Sequence, residues 1–146
     1  MTARAIQRDY ELMGAEGCYL LSLIKAAERI LGRYIDAYEV YIRAHAAGAI
    51  DERCYIYDPP AVMTLMLGGR WKVEKKGADY IPAPGEITIL RYEREERAPS
   101  GTKTYSHFVL AALNGLSVAH DPYGDSRTVR EGTLVSKRIL WQVDRV

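Results

Sequence analysis

Cysteine is scarce in this sequence: Cys18 and Cys54 are the only two in 146 residues, too few for the disulfide framework of a small secreted protein. Neither sign of charge predominates, because 20 Lys and Arg residues face 19 Asp and Glu, so the basic surface typical of a nucleic-acid binder is not expected. No hydrophobic run approaches the ~20 residues that cross a bilayer. A hydrophobic fraction of 48% with a net charge of +1 excludes intrinsic disorder. We therefore expect one folded domain over residues 1–146 with free thiols and with neither a nucleic-acid nor a membrane partner.

The first residues carry charges, including Arg4, Arg8 and Asp9, where a signal peptide would need an apolar segment. The sequence therefore predicts a protein kept in the reducing cytoplasm. Export by another route, or release by lysis, stays open.

Three helices are predicted in the first half of the chain, over residues 18–31, near 37–47 and from Asp58 to about 67. Apolar residues recur at helical spacing in the first, and Gly32 ends that run. Asp36 followed by Glu39 forms a capping box for the second. Prolines in the first turn, at Pro59 and Pro60, are typical of a helix start and begin the third.

The second half is predicted to form strands, because it is rich in Val, Ile, Tyr, Trp and Thr between Pro and Gly residues. The candidate strands are 70–75, 86–93, 105–112, 116–121 and 138–143. The stretch 94–104 is polar and unpatterned, so we expect an exposed loop there that could cover a site. Helices first and strands afterwards predict an α+β domain.

Cys18 follows Gly17 and opens the first apolar helix. Unpaired backbone N–H groups and the helix dipole favour an anion there, so we expect a lowered thiol pKa and the nucleophilic thiolate. The alternative is a small buried residue at a helix start. Cys54 has no such context and is interpreted as structural.

His107 lies within an apolar strand, and Asp121 ends the next strand. Taken alone, each has an ordinary explanation, as a hydrogen-bonded core histidine and as part of an Asp-Pro turn. A two-residue turn at Asn114-Gly115 would put His107 opposite Pro122. A three-residue turn would put it opposite Asp121, on a face of small residues against which the first helix could pack. We favour the three-residue turn.

Together these residues generate a mechanism, with Cys18 as nucleophile, His107 as its base and Asp121 fixing the imidazole tautomer. A Cys at a helix start, then strands bearing His and Asp, resembles the order of papain-like cysteine peptidases. The segment 106–124 resembles the His-Phe-Val-Val…Asp-Pro pattern of bacterial peptidases that trim double-glycine leaders. The segment 17–23 is similar to a small, functionally uncharacterised bacterial and phage family assigned to the papain-like fold.

The resemblance runs from about residue 7 to 143. It implies a single papain-like α+β domain, with N-terminal helices packed on a C-terminal antiparallel sheet and Cys18, His107 and Asp121 as the triad. Such peptidases often carry a glutamine six residues before the Cys to hold the oxyanion, and that position is Leu12 here. The remaining candidates are the Cys18 backbone N–H with Gln7 or Tyr10.

The leading hypothesis is a cysteine peptidase or amidase that cleaves a peptide, a cell-wall stem peptide or an isopeptide through an acyl-thioester. The alternative is the same scaffold without catalysis, binding a peptide or protein partner. Acyl transfer to an amine would use the same triad. No His or Cys pair has the spacing of a metal site, so neither metal nor cofactor is expected. The oligomeric state stays open.

Overall fold

The structure is a computed structural model that describes residues 2–143, apart from the side chains of residues 10 and 15. Its helices are α1 (Ala3–Glu16), α2 (Cys18–Leu31), α3 (Ala37–Ala46), α4 (Pro59–Leu67) and α5 (Arg127–Glu131). Its strands are β1 (Arg70–Gly77), β2 (Ile87–Ala98), β3 (Gly101–Ala111), β4 (Val118–His120) and β5 (Thr133–Val143). The predicted α+β class is confirmed. None of the described helices has both the length and the apolar character needed to span a bilayer.

The three predicted helices are present, with the expected ends. Gly32 ends α2 in the left-handed conformation at φ 69°, which costs glycine little. The Asp36 and Asp58 carboxylates accept hydrogen bonds from backbone N–H groups in the first turns of α3 and α4. Helix α1 was not predicted. Its first turn is capped by Thr2, and it runs into α2 at Gly17, whose N–H donates to the Met13 carbonyl at 2.9 Å.

The five strands form one antiparallel sheet in the order β1-β5-β2-β3-β4. Helices α2 and α4 pack on one face and α3 packs against α4, and Ile89, Leu110 and Leu140 join the main core there. On the opposite face, Val109 packs in a smaller cluster with Val129, which lies on α5. Because side chains alternate along a strand, consecutive residues of β3 serve different layers.

The loop predicted over 94–104 is wrong. Strands β2 and β3 continue through it as a two-stranded ribbon, with Glu95 opposite Thr104 and Arg97 opposite Thr102. The ribbon projects beyond the rest of the sheet and is largely exposed, so neither of its faces needs the apolar alternation that identifies a half-buried strand. Cross-strand contacts stabilise it instead, including the Arg94 guanidinium 4.6 Å from the Tyr105 ring centre.

The three-residue hairpin turn is also wrong. The N–H of Ala112 donates to the Ser117 carbonyl at 2.7 Å, which is the register of the two-residue alternative. The Asn114 side chain sets this turn, because its oxygen accepts from the Leu116 and Ser117 N–H groups at 2.9 and 3.4 Å. A bulge then shifts the register by one residue, so that Leu110 pairs with His120.

The face of small residues that was predicted to contact the helix over residues 18–31, now α2, lies on the opposite side of the sheet from that helix. Phe108 and Leu110 face the helices, whereas Val109 and Ala111 face the α5 side. Helix α2 therefore approaches β3 over its larger side chains, and it reaches the strand at its edge.

Candidate active site

The open edge of β3 is where α2 meets the sheet. Strand β4 pairs only with Leu110 and Ala111, so it does not cover β3 at Phe108. The start of α2 does so instead. The Phe108 carbonyl accepts a hydrogen bond from the Ser22 hydroxyl at 3.3 Å, and the Phe108 backbone N–H interacts with the Cys18 thiol. Cys18 and Ser22 are four residues apart, so both lie on this side of the helix, and the thiol lies beside the residue that follows His107.

His107 and Asp121 form a buried pair at the point where β4 ends. The His107 side chain is 2% exposed and that of Asp121 is 6% exposed, and Nε2 lies 2.6 Å from Oδ1. The carboxylate also accepts the N–H groups of Tyr123 at 2.8 Å and Ser126 at 3.0 Å. Burial acts to raise the pKa of Asp121, but these hydrogen bonds outweigh it and hold the pKa below its usual value.

This pair fixes the imidazole tautomer. Because the Asp121 carboxylate is charged and only accepts hydrogen bonds, the neutral ring places its proton on Nε2 and leaves the acceptor lone pair on Nδ1. His107 Nδ1 is buried and has no hydrogen-bond partner. The ring therefore presents an unused proton acceptor in the interior of the site.

Tyr123 covers this ring, with centres 4.3 Å apart and an interplanar angle of 21°. Its hydroxyl titrates late, because burial, and next the nearby Cys18 and Asp121, raise the pKa to about 12. Tyr123 therefore stacks on His107 and lies near Cys18 and Asp121, the other two predicted triad residues. The sequence analysis did not single out Tyr123, whose one signal is an aromatic side chain two residues after the aspartate.

The Cys18 thiol does not have the lowered pKa that its helix position predicted. Burial raises the pKa, and the backbone N–H groups of Phe108, Tyr19 and Cys18 itself only partly offset this, while the charge on Asp121 adds to the rise. The residue is 8% exposed, so loss of hydration outweighs the favourable field of the helix start. The resting sulfur is a neutral thiol, and it makes no hydrogen bond to His107 Nδ1.

A groove of about 850 Å³ runs beside Cys18. Its aromatic lining comprises Tyr19, Tyr55, Tyr57, Phe108 and Tyr123, and its cationic lining includes Lys75 and Arg138. Cys54 lines the same groove, but burial, followed by the charges of Asp51, Asp9 and Glu16, raises its pKa to about 12. We therefore expect Cys54 to be a neutral thiol at neutral pH.

Of the two predicted side-chain donors for an oxyanion, Gln7 does not line this groove. Gln7 is exposed on α1 and donates to Glu11 at 3.2 Å, about 13 Å of helical rise before the helix ends at Glu16. The Tyr10 side chain lies outside the described residues. The donors found beside the Cys18 sulfur are backbone N–H groups, of Phe108 on β3 and of Tyr19 and Cys18 at the start of α2.

The model of the family described as "Protein of unknown function, DUF261" matches residues 6–142. This span includes Cys18, His107 and Asp121. No curated protein and no solved structure matches the chain.

Proposed function

The chain belongs to the DUF261 family, and we propose that it is a cysteine peptidase or amidase of papain-like fold. It would cleave an amide bond of a peptide or a cell-wall-like peptide through an acyl-thioester. Cys18 is the nucleophile, His107 is the base and Asp121 orients the imidazole. The order of these residues along the chain and the position of Cys18 at a helix start against the sheet support the papain-like assignment.

The unpartnered Nδ1 of His107 is the observation that carries this proposal. A histidine that only fills a core satisfies both ring nitrogens, since a buried acceptor without a partner costs about 1–3 kcal/mol. Here the geometry satisfies Nε2 with a charged carboxylate and leaves Nδ1 unsatisfied. The backbone N–H of Phe108, the next residue of β3, is in contact with the Cys18 thiol. We assign the Cys18 thiol as the group whose proton His107 Nδ1 accepts.

The raised pKa of Cys18 favours general-base catalysis over a preformed thiolate. As the sulfur attacks the substrate carbonyl carbon, its proton passes to His107 Nδ1, and Asp121 stabilises the resulting imidazolium. The amide C–N bond then breaks, and the leaving amine takes that proton from His107. A water molecule, deprotonated by His107, hydrolyses the thioester and restores the thiol. Sulfur and nitrogen have to approach one another on substrate binding, as catalytic hydrogen bonds often do.

The oxyanion is assigned to the backbone N–H of Cys18 at the start of α2, where first-turn N–H groups lack intrahelical acceptors. Leu12 occupies the position of the usual glutamine and cannot donate a hydrogen bond. Because the loss of one oxyanion donor costs ~10²–10³ in rate, we expect a slow enzyme.

A peptide-binding module without catalysis is the second candidate. Two observations favour it: the neutral thiol of Cys18 and the absence of a hydrogen bond between that thiol and Nδ1 of His107. The groove and its aromatic lining would then serve binding alone.

Alkylation by iodoacetamide, followed at each cysteine by peptide mapping, separates the two candidates. If His107 accepts the thiol proton, His107→Ala and His107→Gln should each slow labelling of Cys18 at pH 7 by about 10²-fold, the lower range of general-base effects.

Two internal controls accompany this experiment. Cys54 reports background reactivity in the same molecule, and His120→Ala changes a neighbouring histidine that does not line the groove of Cys18. Labelling of Cys18 as slow as that of Cys54, and indifferent to His107, would reject His107 as the base for the resting thiol and would favour the binding module. If Cys18 is reactive, product analysis with added amines distinguishes hydrolysis from acyl transfer.

A further inference from the structure

A row of three cations lies on neighbouring strands beside the Cys18 groove, and two of them, Lys75 and Arg138, line it. Lys75 on β1 lies directly opposite Arg138 on β5, and Arg91 lies on the next strand, β2. Arg91 is paired with Glu93, whose carboxylate oxygen is 2.7 Å from its guanidinium. Within residues 2–143, no carboxylate forms an ion pair with Lys75 or Arg138.

Two uncompensated cations in this position cost stability. Like charges directly opposite across a sheet destabilise it, and Arg138 is also partly removed from water against the Phe108 ring, 5.4 Å from its centre. Burial accordingly lowers the pKa of Arg138. Natural proteins keep such unfavourable arrangements chiefly at functional sites.

A hydroxyl without a hydrogen-bond partner among the described residues lies in the same place. The Tyr19 ring stacks on Phe108 with centres 4.4 Å apart, and its buried hydroxyl has no hydrogen-bond partner. Burial raises the pKa of Tyr19 to about 12, and Arg138 is near enough for its charge to oppose that rise. The hydroxyl thus remains a donor at neutral pH. It lies near the Arg138 guanidinium, which donates to the Ser136 hydroxyl at 3.0 Å but has no carboxylate partner in the part of the chain that the structure describes.

The acids on the other rim of the groove do not neutralise this row. Glu16 pairs with Arg53 at 3.7 Å. The Asp51 carboxylate accepts from the N–H groups of Arg53 at 2.8 Å and Tyr55 at 2.9 Å, and from the Tyr57 hydroxyl at 3.3 Å. Both acids are engaged in local contacts, which leaves the side of the groove lined by Lys75 and Arg138 cationic.

We propose that Arg138, together with the Tyr19 hydroxyl and Lys75, binds a carboxylate of the peptide that occupies the groove beside Cys18. A guanidinium with an adjacent hydroxyl matches the acceptor geometry of a carboxylate. The inference rests on the proposed function in that this groove holds the substrate. The carboxylate comes either from an acidic side chain or from a peptide C-terminus.

The test uses Cys18→Ala protein and three acetylated tripeptides, with Kd measured by NMR titration at low ionic strength. Ala-Gln-Ala-amide is neutral, Ala-Glu-Ala-amide carries a side-chain carboxylate, and Ala-Gln-Ala with a free terminus carries a C-terminal one. We expect one of the two anionic peptides to bind about 10-fold more tightly than the neutral peptide, because charge-assisted hydrogen bonds are the strong ones. The preferred anion identifies the source of the carboxylate.

Substitutions locate the effect. Arg138→Gln should reduce the preference to within about 2-fold, and Tyr19→Phe should reduce it partially. Arg97→Gln removes one charge from the exposed ribbon and should leave the preference unchanged. Because Arg138 faces a like charge, Arg138→Gln should also unfold in urea at the same concentration as the Cys18→Ala parent or higher, whereas an arginine with a structural role would destabilise on removal.

Equal binding of the three peptides, absence of binding at the groove, or a preference that survives Arg138→Gln would each overturn the inference. The iodoacetamide experiment tests the proposed peptidase activity, and its outcome is independent of the peptide-binding experiment. An Arg138-dependent preference with an unreactive Cys18 would retain the carboxylate site and reject the peptidase. A reactive, His107-dependent Cys18 without a preference would reject only the carboxylate site.

Discussion

Replacement of Asp121 by asparagine should destabilise the protein by about 2 kcal/mol at pH 7. The two carboxylate oxygens serve different donors: Oδ1 accepts from His107 and the Tyr123 N–H, and Oδ2 accepts from the Ser126 N–H. An amide has one acceptor oxygen, so Asp121→Asn in its better orientation leaves the Ser126 N–H facing another donor. Ser126 is 8% exposed, and a buried donor without a partner costs about 1–3 kcal/mol.

The pH dependence of this difference follows from the lowered pKa of Asp121. A carboxyl with a lower pKa in the folded than in the unfolded state contributes stability that is fully present above its unfolded pKa of about 3.9. This contribution is lost as the pH falls through the folded value. Urea unfolding of wild type and Asp121→Asn should therefore differ by a constant amount above about pH 5 and converge below about pH 4.

Asp125→Asn is the matched control in the same turn. The Asp125 side chain is 79% exposed and pairs with Arg130 at 3.0 Å, so its replacement should change stability by less than about 1 kcal/mol. If Asp121→Asn is no more destabilised than Asp125→Asn, or if its deficit persists unchanged at pH 3, the hydrogen-bonded carboxylate is not what stabilises this turn.

Two further substitutions test the supports of the site, both by urea unfolding. A Cβ on Gly17 would lie 2.5 Å from the Met13 carbonyl oxygen, so Gly17→Ala should cost about 1–3 kcal/mol. Gly14→Ala, with open space around it, should instead stabilise α1 by about 0.5–1 kcal/mol, and equal effects of the two would refute the contact. The buried Lys137 donates to two loop carbonyls at 2.8 and 3.2 Å, so Lys137→Met should cost about 2 kcal/mol; a cost no larger than the ±0.5 kcal/mol expected for exposed Lys72→Met would contradict this.

Features of the fold that depend on local sequence signals were predicted well, whereas features without such a signal were missed. The ends of α2, α3 and α4 follow from single residues such as Gly32, Asp36 and Asp58, whose effects are confined to one turn of backbone. Helix α1 escaped notice because its pattern is largely polar, and the ribbon over 94–104 because it has no buried face. Neither has the apolar period on which sequence interpretation depends.

In the candidate site, too, local signals were not enough to predict properties that depend on packing between distant parts of the chain. The contact between His107 and Asp121 is present at 2.6 Å, although the register that predicted it is absent. The raised pKa of Cys18 could not be predicted from its helix position, because it depends on burial against β3, a strand more than 80 residues away in the sequence. The electrostatic field at a helix terminus is a local property, whereas the loss of hydration on burial depends on the whole fold.

The shortness of β4 links the fold to the proposed chemistry. Asp121 ends that strand, because its backbone carbonyl accepts from the Gly124 N–H at 2.9 Å and its side chain accepts from the turn that follows. A longer β4 would occupy the backbone groups of Phe108 that α2 now uses, and Cys18 would be displaced from His107. The turn-forming and imidazole-orienting interpretations of Asp121 are therefore compatible. By ending the strand, the residue opens the edge that admits the thiol, and its carboxylate holds His107, the proposed base, beside it.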